Sequence, residues 1–205
     1  MDFDLTEEQV QLRDAARKLA QHEFRDKAAR WDRDETFPEE NKHRLAELGY
    51  LGLSVDKEFG GSGAGLVSTY LVIEELAKVD LLTAMIVHDQ NVSPRIIANH
   101  GSDELKRRLV PRFVTGELEC SIAWTEPQAG SDGTAIRTAA VRDGDEVLIN
   151  GSKIFTTFGD RADMHLVYVR FGPSSGAKGI GTIVVERDRP GLTVRKLEGK
   201  MGVRG

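Results

Sequence analysis

Thr125-Glu126-Pro127-Gln128-Ala129-Gly130-Ser131-Asp132 gathers, within eight residues, a threonine hydroxyl, several backbone amides and a Gly-Ser pair, with an apolar run before it and hairpin signals after it. Closely spaced donors on backbone that glycine leaves bare suit the polar edge of a ring, or a pyrophosphate that must approach the main chain. The same residue types also make a surface turn, because proline fixes φ, glycine permits positive φ, and Ser and Asp bond locally. Local chemistry alone leaves both readings open.

Other reactive residue types offer less. Cys120 is the only cysteine, so no intrachain disulfide can form. It sits in Glu117-Leu118-Glu119-Cys120-Ser121-Ile122, where neighbouring acids discourage a thiolate and a packed thiol is the expectation. His22, His43, His88, His100 and His165 show neither metal-ligand spacing nor a cysteine partner, so no metal site is predicted. The glycines of 60–65 lack both a preceding strand and a nucleotide fingerprint, and read as a connector. Lys106-Arg107-Arg108 reads as a solvated helix end.

The elements that must hold these residues change character near residue 117. Before it the pattern is helical. Thr6 and Gln9 form a capping-box pattern, and Leu12, Ala16, Leu19, Ala20, Phe24 and Ala28 recur on one face. Further helices are expected from Pro38 to Gly49, Leu66 to Val79 and Leu81 to His100. A short one, capped by Ser102, is expected to run through Leu109 and stop before Pro111. After it, strands are expected at Thr138–Val141 and Glu146–Ile149 around an Asp-Gly turn. Lys153–Thr157, Met164–Arg170, Gly179–Glu186 and Leu192–Arg195 are further candidates. The expected fold class is α+β: an N-terminal all-α helical domain (1–117), then an antiparallel β-barrel-like middle domain (118–205). No helix alternates with strands to make a dinucleotide-binding unit.

The 205 residues carry 40% hydrophobic and 30% charged residues, ordinary for a soluble globular protein with a sizeable core. A net charge of -5 argues against nucleic-acid or anionic-membrane partners. With no run approaching the ~20 apolar residues of a membrane span and no signal-like start, a cytoplasmic location is expected.

Thr-Glu-Pro-x-Ala-Gly-Ser-Asp at 125–132 resembles the signature of the acyl-CoA dehydrogenase family, and Asn150-Gly151-Ser152-Lys153-Ile154-Phe155-Thr156-Thr157 resembles its second flavin segment. Phe3-Asp4-Leu5-Thr6-Glu7-Glu8-Gln9 is similar to the start of its first helix, Glu58 to Gly63 to its interhelical loop, and Lys200 to Gly205 to a strand start late in its middle domain. The pieces stand in family order along the whole chain. The resemblance implies a helical domain and a β-domain, with the family's C-terminal helical bundle expected to lie outside this sequence.

It further implies FAD as cofactor and an acyl-CoA, or acyl-carrier-protein, thioester as substrate, α,β-dehydrogenated to a trans-2-enoyl-CoA. The family's catalytic glutamate lies in the absent bundle, so no catalytic residue is expected in this chain. By resemblance Ile122, Trp124 and Thr125 line one side of the flavin, and Gly130 and Ser131 approach the pyrophosphate, with Ser131 also near coenzyme A. Phe155, Thr156 and Thr157 cover the other surface, Thr157 bonding N5. Trp124, Phe155 and Phe158 depart from the family's usual residues and are read either as ring contacts or as β-domain core.

His88-Asp89-Gln90-Asn91 is an unusual polar cluster in the segment that in the family helps form the acyl pocket. His88 or Asn91 is expected either to face a short polar or aromatic acyl group or to lie on a solvated face. Leu82 stands where glutaryl-CoA members carry a carboxylate-gripping arginine, which disfavours that substrate. The resemblance also implies an electron-transferring flavoprotein as oxidant and a homodimer or homotetramer. Alternatives are a flavin monooxygenase or acyl-CoA desulfinase of the same fold, or a non-catalytic subunit contributing a flavin face.

Overall fold

The computed structural model describes residues 3–174, 176–195 and 197–204. Ser175, which falls between the expected strands Met164–Arg170 and Gly179–Glu186, and Gly205 of the closing motif lie outside them. The chain divides into two compact units, one of Met1–Leu118 with Gly199–Gly205, the other of Glu119–Glu198.

The first unit is helical. Helix α1 (Glu7–Leu19) starts with a reciprocal cap: Thr6 Oγ1 accepts from Gln9 N at 3.2 Å and Gln9 Oε1 accepts from Thr6 N at 3.0 Å. The expected single face continues through a π-helical stretch, Ala20–Phe24, into α2 (Arg25–Asp34), with Ala16, Leu19, Ala20 and Phe24 all buried. Then follow α3 (Glu39–Glu47), α4 (Gly65–Ala77), α5 (Leu81–His100) and α6 (Asp103–Val114), with α4 packed on α1 and α5, and α6 on α5. Helix α6 runs past Pro111, where a stop was expected. Proline removes one intrahelical hydrogen bond, but Leu109, Val110, Phe113 and Val114 are all buried, and their burial outweighs that loss.

Buried polar ties fix the helices to each other. The Arg17 guanidinium grips the buried Glu75 carboxylate with bonds of 3.0 and 2.9 Å, joining α1 to α4. Chiefly through that bond, the Glu75 carboxyl is held at about 2. Asn91 on α5 is 1% exposed and spends its whole amide on the protein. Nδ2 donates to Tyr50 O and Val87 O, both at 2.8 Å, and Oδ1 accepts from Ser54 N at 2.9 Å. This holds the 50–54 turn against the helix.

The second unit is one mixed, open sheet of β1 (Cys120–Ala123), β2 (Ala139–Asp143), β3 (Glu146–Asn150), β4 (Met164–Phe171) and β5 (Ile180–Glu186). The antiparallel barrel-like sheet expected from sequence is corrected here, because β1 and β2 both run parallel to β4. Only the short connections force antiparallel pairing: β2–β3 through Gly144-Asp145, with Gly144 at φ 61°, and β4–β5. The longer connections turn the chain round and bring it back in the same direction. Two expected strands are absent. Lys153–Thr157 is interrupted by Phe155 in the left-handed region, and Leu192–Arg195 has no strand partner among the described residues. Ala123, Ala140, Val167 and Val169 form the core of the sheet's inner face, with Ile149, Ile183 and Val185 against it.

No helix among the described residues is long and apolar enough to cross a membrane. Asn91→Leu is expected to destabilise the helical unit by at least about 2 kcal/mol, because it orphans buried Ser54 N and Tyr50 O. Urea unfolding followed by circular dichroism measures this.

Candidate functional site

Strand β1 runs in register with β4, Ser121 beside His165, Ile122 beside Leu166 and Ala123 beside Val167. Because side chains alternate across a strand, Ala123 and Val167 enter the core while Ile122 and Trp124 fall on the other face. There the Trp124 indole stacks on Tyr168, with ring centroids 4.1 Å apart and planes 16° from parallel. Its Nε1 donates to Gly133 O at 3.2 Å. Glycine is required at 133, since a Cβ there would lie 2.9 Å from Nε1.

Past Trp124 the chain turns at Pro127-Gln128, closed by mutual backbone bonds between Glu126 and Ala129 of 3.1 and 3.0 Å. Glu126 is 4% exposed, and its carboxylate is saturated. It accepts from Gln128 Nε2 (2.6 Å), Arg137 N (2.7 Å), Thr138 N (3.0 Å), Thr138 Oγ1 (2.5 Å) and Lys153 Nζ (2.7 Å). Lys153 Nζ also donates to Trp124 O at 2.9 Å, and Ile154 N to Thr125 O at 2.9 Å. The segments 125–132 and 153–157, far apart in sequence, are thus tied at their bases. Burial opposes ionisation of Glu126, but the donors led by Lys153 and Thr138 outweigh it and hold the carboxyl at about 2. Burial likewise pulls Lys153 below its ordinary value, against the pull of Glu126.

Above this base the residues are uncommitted. Gly130 and Ser131 are exposed, and a Cβ on Gly130 would meet nothing, so no contact within the chain calls for glycine there. The N–H groups of Gly130 and Ser131 and the hydroxyls of Thr125, Ser131, Thr156 and Thr157 make no hydrogen bond to a described residue. Phe155 is 71% exposed with φ 54°, and Phe158 also has positive φ, at 53°. A bulky residue held left-handed with its ring in solvent carries strain without a packing reward, a combination that points to a function. Behind it, the 158–163 turn is anchored to the foot of β1. Arg161 forks onto the buried Glu119 carboxylate with two 2.7 Å bonds, and Asp163 Oδ2 accepts from Glu119 N at 2.8 Å.

Of the sequence-expected residues, Ile122, Trp124, Thr125, Gly130, Ser131, Phe155, Thr156 and Thr157 all lie in this second unit. His88 and Asn91 lie on α5 of the first. Asn91 belongs to the packing described above and has no donor left for a ligand. His88 is half-buried, its Nδ1 2.8 Å from Asp89 Oδ1, a bond that raises the imidazole's pKa. Sequence reasoning missed the Glu126–Lys153 tie and Tyr168. No local signal marked the first, because Lys153 stands between Ser152 and Ile154 and reads like a surface lysine. The second needed the β1–β4 register. Sequence reasoning also missed Ser121–His165, a buried 2.7 Å contact beneath β1.

The fold is a helical unit followed by a mixed, open sheet whose outer loops carry an exposed ring and uncommitted donors. Residues 6–117 match the family described as acyl-CoA dehydrogenase, N-terminal domain, and residues 121–205 match acyl-CoA dehydrogenase, middle domain. The chain belongs to the acyl-CoA dehydrogenase family. It is 38% identical to acryloyl-CoA reductase (NADH) of Anaerotignum propionicum, over 100% of this chain and 52% of that protein. It is 42% identical to cyclohex-1-ene-1-carbonyl-CoA dehydrogenase of Syntrophus aciditrophicus, over 98% of this chain and 49% of that protein. A solved glutaryl-CoA dehydrogenase from Mycobacterium smegmatis, in complex with FADH2, superposes with TM-score 0.89 at 28% identity, over 98% of this chain and 50% of that one. The chain spans about half the length of these relatives.

Glu126→Gln is expected to cost about 3–5 kcal/mol, because it strands a buried ammonium. The wild-type carboxyl titrates lower folded than unfolded. Its stabilisation is therefore complete above about pH 4.5 and lost as pH falls towards 2. Chemical denaturation across that range should show the variant lacking this component.

Proposed function

We propose that the second unit holds FAD, and that the protein containing this chain catalyses α,β-dehydrogenation of an acyl-CoA thioester to a trans-2-enoyl-CoA, with its catalytic base outside this chain. The observation that carries the reading is Phe155, an exposed ring on left-handed backbone, facing solvent beside two threonines with free hydroxyls. Such a ring and such donors fit a large planar ligand with a polar edge.

When bound, FAD supplies the hydride acceptor for the β-hydrogen of the substrate. The chain's own residues orient and hold. Ile122 and Trp124 present the outer face of β1 to the ring, the indole fixed by Tyr168 and Gly133. Thr125 offers its hydroxyl to the pyrimidine edge. The bare N–H groups of Gly130 and Ser131 suit a pyrophosphate, which exposed backbone donors bind well, and the exposed Ser131 hydroxyl is assigned to coenzyme A. Phe155 and Thr156 would shield the ring from water, and the Thr157 hydroxyl would serve as a donor to its central nitrogen, favouring the electron-rich state.

The relatives carry the names of both a dehydrogenase and a reductase, so the same hydride transfer run in reverse is the second reading. An electron-transferring flavoprotein as redox partner, and a homodimer or homotetramer, complete the proposal. A solved structure of the electron-transferring flavoprotein of Acidaminococcus fermentans contains a chain that aligns over the whole of this one with TM-score 0.91, which supports that choice of partner.

In the full polypeptide, Phe155→Ala is expected to raise the dissociation constant for FAD about tenfold, or ~1.4 kcal/mol, without changing unfolding. Flavin fluorescence titration against melting temperature separates the two, and unchanged affinity would refute the assigned face. Anaerobic bleaching of the bound flavin by acyl-CoA, and its absence with the free acid, tests the substrate class.

A further inference from the structure

The Trp124 side chain is held from three directions. Tyr168 covers one face of the indole, with ring centroids 4.1 Å apart and planes 16° from parallel. The Nε1 edge donates to Gly133 O and packs so closely that a Cβ on Gly133 would lie 2.9 Å from Nε1 and 3.1 Å from Cζ2. At the main chain, Trp124 O accepts from Lys153 Nζ at 2.9 Å. A ring fixed in this way cannot swing aside for a ligand, yet it stays 41% exposed.

What it leaves open is chemically narrow. An indole has one donor, and here that donor is committed to Gly133. A guest therefore meets only the second π-face. The face of an aromatic ring carries partial negative charge, so it attracts an electron-poor ring and repels an electron-rich one. An aliphatic side chain would make no such distinction. Tyr168 backs the indole with a second electron-rich ring, and burial pushes its phenol up, so that it stays neutral across ordinary working pH.

A flavin is a guest for which this distinction matters. Its oxidised ring is electron-poor, and two added electrons make it electron-rich. The uncommitted Thr157 hydroxyl favours the second state, as a donor near developing charge does. The indole face favours the first.

We propose, on the basis that the outer site holds FAD, that the Trp124–Tyr168 stack tunes the redox balance of the flavin, the free indole face binding the oxidised ring more tightly than the reduced one. Binding and reduction are linked, so the ratio of the two affinities appears in full as a shift of the oxidised–reduced equilibrium. Trp124 makes the flavin harder to reduce, and a better hydride donor once reduced, than an aliphatic residue would. Tyr168 is the positioning residue behind it.

Reductive titration of the FAD-loaded full polypeptide against a reference dye of known potential tests this. In Trp124→Val the ratio of reduced to oxidised flavin at a fixed applied potential should rise about tenfold, equivalent to about 30 mV for a two-electron couple. Tyr168→Leu, which frees the indole, should move the ratio the same way, and Tyr168→Phe, which keeps a stacking ring, should hold the wild-type value. Because Trp124→Val also admits water, uniform replacement of tryptophan by 5-fluorotryptophan separates electronics from solvation. It keeps the indole's shape and withdraws density from its face, so it should raise the ratio in the wild-type sequence and leave Trp124→Val unchanged. Melting temperatures confirm that each variant folds. A wild-type protein that retains no FAD would refute the flavin reading and this inference with it. Retained FAD with an unmoved ratio in Trp124→Val, or a fluorotryptophan shift equal in both backgrounds, would overturn this inference alone.

Discussion

Glu126 and Lys153 meet at 2.7 Å with their side chains only 3% and 10% exposed, and the organisation of the sheet unit's outer site depends on that contact. Burying two charges is expensive, and the attraction between them repays it only when the remaining lone pairs and protons are also satisfied. Here they are. The carboxylate collects two backbone N–H groups and a hydroxyl beyond β1 as well as the ammonium, and the ammonium reaches back to the Trp124 carbonyl. One acid thereby sets the turn at 125–129, the approach to β2 and the height of the 153–157 segment. Gly151 allows the approach, since a Cβ there would lie 2.2 Å from Thr138 Oγ1. Satisfied polar groups at the base leave the uncommitted ones of Thr125, Gly130, Ser131, Thr156 and Thr157 on top.

The two units apply the same device to different ends. In the helical unit, Arg17–Glu75 and the Asn91 amide lock helices and a turn together, and the Asn91 amide keeps no donor for chemistry. In the sheet unit, Glu119–Arg161 and Glu126–Lys153 lock loops whose exposed surfaces stay uncommitted. Strain follows the same division. Phe155, in the second of the tied loops, and Phe158, at the start of the turn that follows it, are held left-handed between the Lys153 and Arg161 anchors, in a conformation the chain alone would relax.

Helices were legible because burial repeats at their own period, and the Thr6 cap and the Gly144 hairpin turn were legible because each rests on local geometry. Elements decided by distant partners were not. Pro111 reads locally as a stop, but the burial of Phe113 and Val114 is a tertiary fact. Lys153–Thr157 has strand-like composition, yet its backbone is committed to Thr125 and a left-handed turn instead of a ladder. Parallel pairing of β1 with β4 cannot be read from either strand, because direction is set by the path between them. For the site, the motifs located both loops, and family resemblance supplied their roles. The tie between residues 27 apart was not legible, since nothing local distinguishes a buried lysine from a solvated one. The Trp124–Tyr168 stack was hidden for the same reason.

The most direct measurement is a double-mutant cycle on Glu126→Gln and Lys153→Met in the full polypeptide, read by FAD affinity in flavin fluorescence titrations. If the pair sets the height of both loops, each single change weakens FAD binding by an order of magnitude or more. The double variant, with no charge left stranded, then recovers much of that loss. Single changes that leave FAD affinity intact, or losses that simply add, would contradict the claim that this contact builds the site.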